Sequence, residues 1–592
     1  MKNLFNSSDS EKHEEKVIDE KVQSISYSQS ILSLPDLDPT LSRHASEYEA
    51  DLVKTQPGVT GEKGHALKRD LKARHISMIA LGGSLGTGLL IGTANSLATA
   101  GPGSVFITYS FVGLMVFFVM SALGEMATYI PLAGGFTGYS DRYAHPALGF
   151  AVGYSYLAKY LIVTPNQLVA GSLVMQYWVS PEKVNPGVWI TIFLVSVVLI
   201  NLFGVKFFGE LEFWLSSLKV VTVLGLIIML FCFMLGGGPD HERLGFRYWT
   251  DPGAFAPWRG IASIPKAKFI AFVSSFVYAV FAYSGTELVG VVVAEASRPR
   301  RNVPRAIKLT FYRICVFYIL SVLLLGCCVA YNDPELVAAR AKSTSSSASP
   351  FVVAINAQGI SGLPHLMNAC ILIFVFSACN SDLYIATRTL YGLSVQKKAP
   401  KILSRTNKTG VPYLSLAVAF CFSCLAYMAC SSGSASIFGY FVNVVSIMGL
   451  LTWISLLITH ICFMNAMKAQ GIPRSSLPYR APLQPYASWI TLFFCILVAL
   501  IKNFTVFLNG FNYKDFITGY IGIPYYFICF FGYKFITGAK RHKSEEVDLI
   551  THKDVVDAEE EECAFKEAEL KAERGNKKDA QWLYDRIFGW IF

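Results

Sequence analysis

The sequence predicts an all-α integral membrane protein of about twelve transmembrane helices. Three observations predict it. Of 592 residues, 53% are hydrophobic and only 16% are charged, against about 25% charged in an average soluble domain. The deficit is local: residues 1–76 and 538–592 are rich in Lys, Glu, Asp and Ser. Between them run apolar segments of 18 residues or more, joined by mostly short polar loops. Each such segment is long enough to cross a hydrocarbon core of roughly 30 Å as a helix.

The chain therefore divides into a cytoplasmic disordered N-terminal tail (1–76), a transmembrane domain (77–537) and a cytoplasmic C-terminal tail (538–592). The first thirty residues are polar and hold no apolar signal region, so the first apolar segment is expected to direct insertion itself. The twelve segments cover 77–97, 104–128, 147–178, 187–204, 213–236, 270–293, 313–331, 363–391, 412–430, 438–465, 484–508 and 515–537. The third and tenth are long and should be tilted.

Loop charge sets orientation. The loop after segment six holds Arg298, Arg300, Arg301, Arg305 and Lys308, and the loop after segment eight holds Lys397, Lys398, Lys401, Arg405 and Lys408. The loops after segments one and nine hold neither Lys nor Arg. Basic loops stay cytoplasmic, which puts both termini in the cytoplasm. Both tails read as disordered cytoplasmic segments, with a charged, helix-prone stretch at 558–574. The formal charge of +10 lies largely in loops, so no nucleic-acid partner is expected; the lipid bilayer is. Most of the thirteen cysteines fall inside apolar segments and read as small core residues. No metal-ligand spacing occurs outside the membrane, and the Cys421/Cys424 pair has no His nearby. No metal or cofactor is expected. No zinc-protease motif is present and no G-x-S-x-G run is placed on a strand-to-helix turn, so the chain does not read as an enzyme and no catalytic residue is assigned.

Two segments are interrupted. The first holds Gly82-Gly83-Ser84-Leu85-Gly86-Thr87-Gly88. Each glycine costs a helix about 1 kcal/mol relative to Ala. The sixth holds Tyr283-Ser284-Gly285-Thr286-Glu287, a glycine among hydroxyls and a carboxylate at mid-membrane depth. Unpaired backbone groups cannot face lipid there, but they can line an enclosed cavity. The interruptions are five segments apart, so they coincide if segments 1–5 and 6–10 repeat one another. Matched breaks of this kind point to a transporter site. Amide N–H groups at a half-helix start can bind a carboxylate, and freed carbonyls an ammonium. Close packing through small residues would account for Gly82 and Gly86, but not for Ser284, Thr286 and Glu287.

The runs Arg74 to Ala80, Gly82 to Gly88, Gly124-Glu125-Met126-Ala127, Thr286 to Gly290, Pro304 to Lys308 and Tyr331-Asn332-Asp333-Pro334 resemble the amino acid–polyamine–organocation superfamily, within its fungal amino-acid permease family. The likeness spans nearly all of residues 70–540. Three further runs, Thr164 to Gln167, Leu235 to His241 and Ser377 to Asp382, most resemble the dicarboxylic amino-acid permeases of yeasts. The resemblance implies a 5+5 inverted-repeat core (LeuT-like) plus two C-terminal helices. It also implies proton-coupled uptake of glutamate and aspartate at the plasma membrane. Tail lysines Lys12, Lys16 and Lys21 would meet ubiquitin-ligase adaptors. Many family members end in a Phe-Trp-Cys run; this chain ends Phe588-Gly589-Trp590-Ile591-Phe592, and lipidation there is not expected.

Charges within apolar segments are costly and mark function. Lys159 lies mid-segment where the resemblance implies a neutral residue facing the substrate side chain; a cation there suits a carboxylate. It could instead snorkel or form a structural ion pair. Gln167 stands where relatives that carry basic or neutral amino acids have Glu, which removes a negative charge. Lys219 matches the place of a lysine that, in some proton-coupled relatives, replaces a bound sodium ion. Glu287 and Glu125 are candidates for the coupled proton, with Glu287 preferred; Asp382 is a further one, unless Asn380 and Ser381 satisfy it. The substrate-binding set is thus Gly83, Ser84, Gly86, Thr87, Gly88, Lys159, Gln167, Tyr283, Ser284, Gly285 and Thr286, and the proton-coupling set Glu287, Lys219 and Glu125. Moving a charge across 100 mV is worth about 2.3 kcal/mol, so anionic glutamate needs more than one proton for the potential to drive its entry. The competing readings are a broad-range neutral amino-acid permease and an amino-acid-sensing receptor.

Overall fold

A computed structural model gives the fold. It describes residues 85–569, except 133, 204, 288–298, 342–348, 408–409, 433, 509, 552, 555, 559, 563–564 and 566–568. Gly83, Ser84 and the tail lysines lie outside the described residues. Among the described residues all regular structure is helical. The main elements are α1 (Gly88–Tyr129), α3 (Pro146–Met175), α6 (Ile264–Tyr283), α7 (Arg300–Cys328), α8 (Leu363–Val395), α9 (Tyr413–Ser431), α10 (Ser434–Ala469) and α11 (Tyr486–Phe507). Between them stand the short α2 (Gly135–Tyr143), the 17-residue α4 (Pro186–Leu202) and the long α5 (Val205–Leu235). After α11 come α12 (Tyr513–Tyr520) and α13 (Gly522–Thr537), bent by 41°.

Nine helices among the described residues are long and apolar enough to cross a membrane, and the bent pair makes a tenth. The expected number is twelve, and two local features separate the counts. The described part of segment 77–97 and segment 104–128 are two helices that meet with no intervening loop at Gly101 (φ 81°, ψ 166°), ahead of Pro102, and so count as one continuous helical run, α1. The freed backbone groups find partners in an inserted loop: the Gly103 amide donates to the Ala254 carbonyl (2.8 Å) and the Ala256 amide to the Ala100 carbonyl (3.0 Å). A side chain at Gly101 would sit 2.7 Å from the Ala256 nitrogen. The fourth segment is a helix of 17 residues, about 25 Å long.

Burial is inverted relative to a soluble protein. Large apolar side chains face outward on α5 (Trp214, Val221, Ile228), α11 (Ile490, Phe493) and α13 (Ile528, Phe535), as a lipid-facing surface requires. Polar groups gather inside, among them Lys159, Gln167, Glu212, Lys219 and Glu287. At the centre stands α3, packed against α8, α10 and α13, while α6 packs between α1 and α10.

The segment after α13 is expected as a disordered tail, but its first part is held. Val547 and Leu549 are buried. Arg142 of α2 binds the Asp548 carboxylate at 3.1 Å and donates to the Asp548 and Thr551 carbonyls. Gln470, after α10, donates to the Val547 carbonyl at 2.6 Å.

Candidate functional site

Both interruptions are structural breaks. Leu85 and Gly86 are non-helical, and α1 opens at Gly88 as a π-helical turn, Gly88–Gly92. At the other break α6 stops at Tyr283: Ser284 turns extended (ψ 136°) and Gly285 takes φ 95°. The Ser284 amide returns to the Phe281 carbonyl and the Thr286 hydroxyl to the Tyr283 carbonyl. The breaks touch. A β-carbon built on Gly88 would lie 2.4 Å from the Ala282 α-carbon, so glycine is what allows the two backbones to meet.

A cavity opens beside this contact. Its wall includes Gly86, Thr87, Gly88, Lys159, Gln167, Ser284 and Gly285 from the expected substrate-binding set. Two other members stand apart. The Tyr283 ring is buried and stacks on Tyr318 at 4.5 Å, on the side of α6 facing α1 and α7. Thr286 is buried and closes the turn. The wall also includes Tyr160, Val163, Phe281, Ala378, Ser381, Asp382 and Ile385. Of these the sequence marked only Asp382, as a proton candidate. Ser381-Asp382, a polar pair inside an apolar segment, was the available signal; the apolar wall residues carry none that separates them from ordinary core.

The helix start of α1 and the helix end of α6 meet at the cavity. One offers partial positive charge and N–H donors, the other partial negative charge and carbonyls. That pairing complements a zwitterion.

Two polar chains run from the wall, the first leading from Lys159 to Glu287, which is buried behind it and lines no part of the cavity. Lys159 forms a buried ion pair with Glu287, and the Trp453 indole donates to the other Glu287 oxygen at 3.4 Å. The Lys159 ammonium also lies 5.0 Å from the Tyr160 ring centroid and 5.6 Å from that of Tyr156, within cation–π range. In the second chain the Thr87 hydroxyl donates to the Gln167 carbonyl oxygen (2.9 Å), and the Gln167 amide donates to Asp382 (3.0 Å). This ties the start of α1 to α3 and α8.

The other charged candidates sit off the wall. Lys219 is buried beside Glu212 at 3.6 Å, and Ser377 of α8 donates to Glu212 at 2.8 Å. Glu125, near the far end of α1, pairs with Arg474, contacts His460 at 2.7 Å and accepts from the Ala481 amide at 2.7 Å.

Comparison with known proteins places the chain. Residues 75–546 match the family described as Amino acid permease. The chain is 60% identical to the dicarboxylic amino acid permease of Saccharomyces cerevisiae, covering 89% of this chain and 87% of the relative. It is 41% identical to the basic amino-acid permease of the same yeast (82% and 83% covered). It is 37% identical to the proline-specific permease of Emericella nidulans (90% and 94% covered).

Proposed function

The chain belongs to the amino acid permease family, and on that premise we propose that it is a proton-coupled symporter importing acidic amino acids, glutamate and aspartate. It is a transporter and not an enzyme. We place it in the plasma membrane with both termini cytoplasmic, where the basic loops and polar tails put them. The tail lysines then face ubiquitin-ligase adaptors.

One observation carries the choice of substrate: Lys159 is a buried cation on the cavity wall, in a chain whose relative at 60% identity is named for dicarboxylic amino acids. The α-carboxylate meets the N–H groups opening α1, and the α-ammonium meets the carbonyl end of α6. The side-chain carboxylate takes Lys159. Glu287 holds that cation in the structure, so the incoming carboxylate displaces it. A buried carboxylate left without its cation is strongly unfavourable, and Glu287 therefore accepts a proton as it lets go. Substrate anion and proton are bound together by exchange at one ammonium. In this reading Lys219, paired with Glu212, supports the α5–α8 contact from behind, and the Glu125 cluster fixes the far end of α1.

A neutral amino-acid permease is the second reading. It draws on the same ion pair, because Lys159 is already neutralised by Glu287. Competition decides between them. Labelled glutamate uptake should be blocked by excess aspartate and barely affected by leucine or phenylalanine. Equal competition by leucine would overturn the acidic assignment.

A further inference from the structure

Glutamate entering with one proton is electrically neutral overall, and an inside-negative potential gives it no help. A second proton site would change that. The cavity wall holds a carboxylate that the exchange at Lys159 leaves unused.

Asp382 stands on α8 and shares the cavity wall with Lys159 of α3, whose partner Glu287 follows the break after α6. It is only partly buried, so part of it stays open to the cavity. Among the described residues one donor reaches it, the Gln167 amide at 3.0 Å. Its sequence neighbours do not satisfy it. Asn380 accepts from Asn201 at 2.9 Å instead, and the buried Ser381 hydroxyl has no hydrogen-bond partner among the described residues.

The charged and titratable groups around it are Lys159, Tyr156 and Tyr160 on α3, Lys219 and Glu212 on α5, Glu287 beyond α6 and Cys379 on its own helix. Lys159 is paired with Glu287 and Lys219 with Glu212. Among these groups Asp382 is the carboxylate with no basic side chain paired to it. Glutamate brings another. A proton on Glu287 offsets the arriving anion, and a second proton, on Asp382, neutralises the carboxylate on the wall that has no paired cation. Burying the two anions together without it is costly.

On the reading that the chain imports acidic amino acids, we propose that Asp382 is the second proton-carrying carboxyl of the transport cycle. It takes a proton from the external water as the substrate's anionic side chain enters. It gives that proton to the cytoplasmic water when the substrate leaves. Glutamate then crosses with two protons and one net positive charge. The Gln167 amide and the Thr87 hydroxyl behind it connect this carboxyl to the start of α1, where the substrate's α-carboxylate binds.

The test uses the purified full chain in liposomes, with labelled glutamate uptake followed at set membrane potentials. Wild type should carry one net positive charge per glutamate. Asp382→Asn should carry none, so that its uptake responds to a proton gradient but no longer to voltage, and Asp382→Glu should regain the charge. An Asp382→Asn variant that still carries one charge per glutamate, or a wild type that is electroneutral, overturns the proposal. Should Asp382→Asn transport too little to follow, glutamate binding in detergent gives the same answer. The wild-type Kd should tighten by up to about a hundredfold per unit fall in pH, and the variant's by about tenfold. An unchanged slope in the variant overturns the proposal. Wild-type protein that carries leucine but not glutamate fails the acidic reading itself, which separates that failure from this one.

Discussion

Lys159 and Glu287 are 128 residues apart in sequence, and each has a different meaning alone than it has paired. Read separately, one is a receptor for a carboxylate and the other a proton carrier. Read together, they are one unit in which each role requires the other to let go. The pairing also dictates how the residues must be tested. Lys159→Gln alone leaves Glu287 buried without its cation, a loss of roughly 3–5 kcal/mol, so low protein levels are expected from the single variant. Lys159→Gln with Glu287→Gln removes both charges and should recover surface expression. The double variant should lose glutamate uptake by at least about tenfold relative to any neutral substrate, since each tenfold is only about 1.4 kcal/mol. If it keeps its preference for glutamate, Lys159 is structural. The sequence showed these residue types and their depth in the membrane. It could not show the Lys159–Glu287 or Gln167–Asp382 partnerships, because contacts across 128 and 215 residues are set by how α3, the α6 break and α8 pack, and no local pattern records that.

At the scale of the element, a glycine-rich run announces that a helix is interrupted but not which glycine is indispensable. The packing decides. A β-carbon on Gly88 would meet backbone, 2.4 Å from the Ala282 α-carbon and 2.9 Å from its nitrogen, and backbone of a packed helix cannot move aside. On Gly86 it would lie 3.7 Å from the Ala378 β-carbon, an ordinary contact. Gly88→Ala should therefore lose most of its correctly folded protein, and Gly86→Ala should keep near wild-type amounts, as measured by size-exclusion chromatography of a fluorescent fusion. Equal recovery of both variants would show that α1 and α6 do not meet as described. The breaks themselves were legible because glycine and hydroxyl-bearing residues stand out in apolar segments. The sequence predicts two segments, 77–97 and 104–128, on either side of Gly101. A glycine-proline pair punctuates a chain, and at Gly101 it separates two helices with no loop between them, the freed backbone groups bonding to residues 254–256.

At the scale of the whole molecule, the tail composition predicts a chain free of the membrane domain, yet residues 541–557 bind several of its elements. Arg142 of α2 grips Asp548, His542 contacts the Asp141 carbonyl at 3.0 Å, and Asp557 pairs with Arg300 of α7 and with Lys553. Arg300 in turn donates to the Thr128 carbonyl of α1. These contacts are polar and widely spaced, and among the described residues of the segment only Val547 and Leu549 are buried beneath them. That is why neither hydropathy nor periodicity revealed them. Their charge makes the attachment sensitive to pH, with a definite sign. Burial works against the charged form of Asp548, but hydrogen bonds from Thr551 and Ile550 and the Arg142 guanidinium outweigh it and hold the carboxyl below its ordinary range. For Asp557 burial is likewise outweighed, by hydrogen bonds from Lys553 and Arg300. A carboxylate whose pKa is depressed by docking stabilises the docked form above its undocked pKa, about 3.9, and loses that contribution as pH falls through the docked value. Hydrogen exchange of the detergent-purified protein, corrected for intrinsic rates, should show steady protection over 541–557 from pH 7 to 5 and its loss below about 4. Arg142→Ala should remove the protection at pH 7 while leaving the exchange of α3 and α10 unchanged. Protection that persists in Arg142→Ala would mean that Val547 and Leu549, not the ion pairs, hold the segment in place.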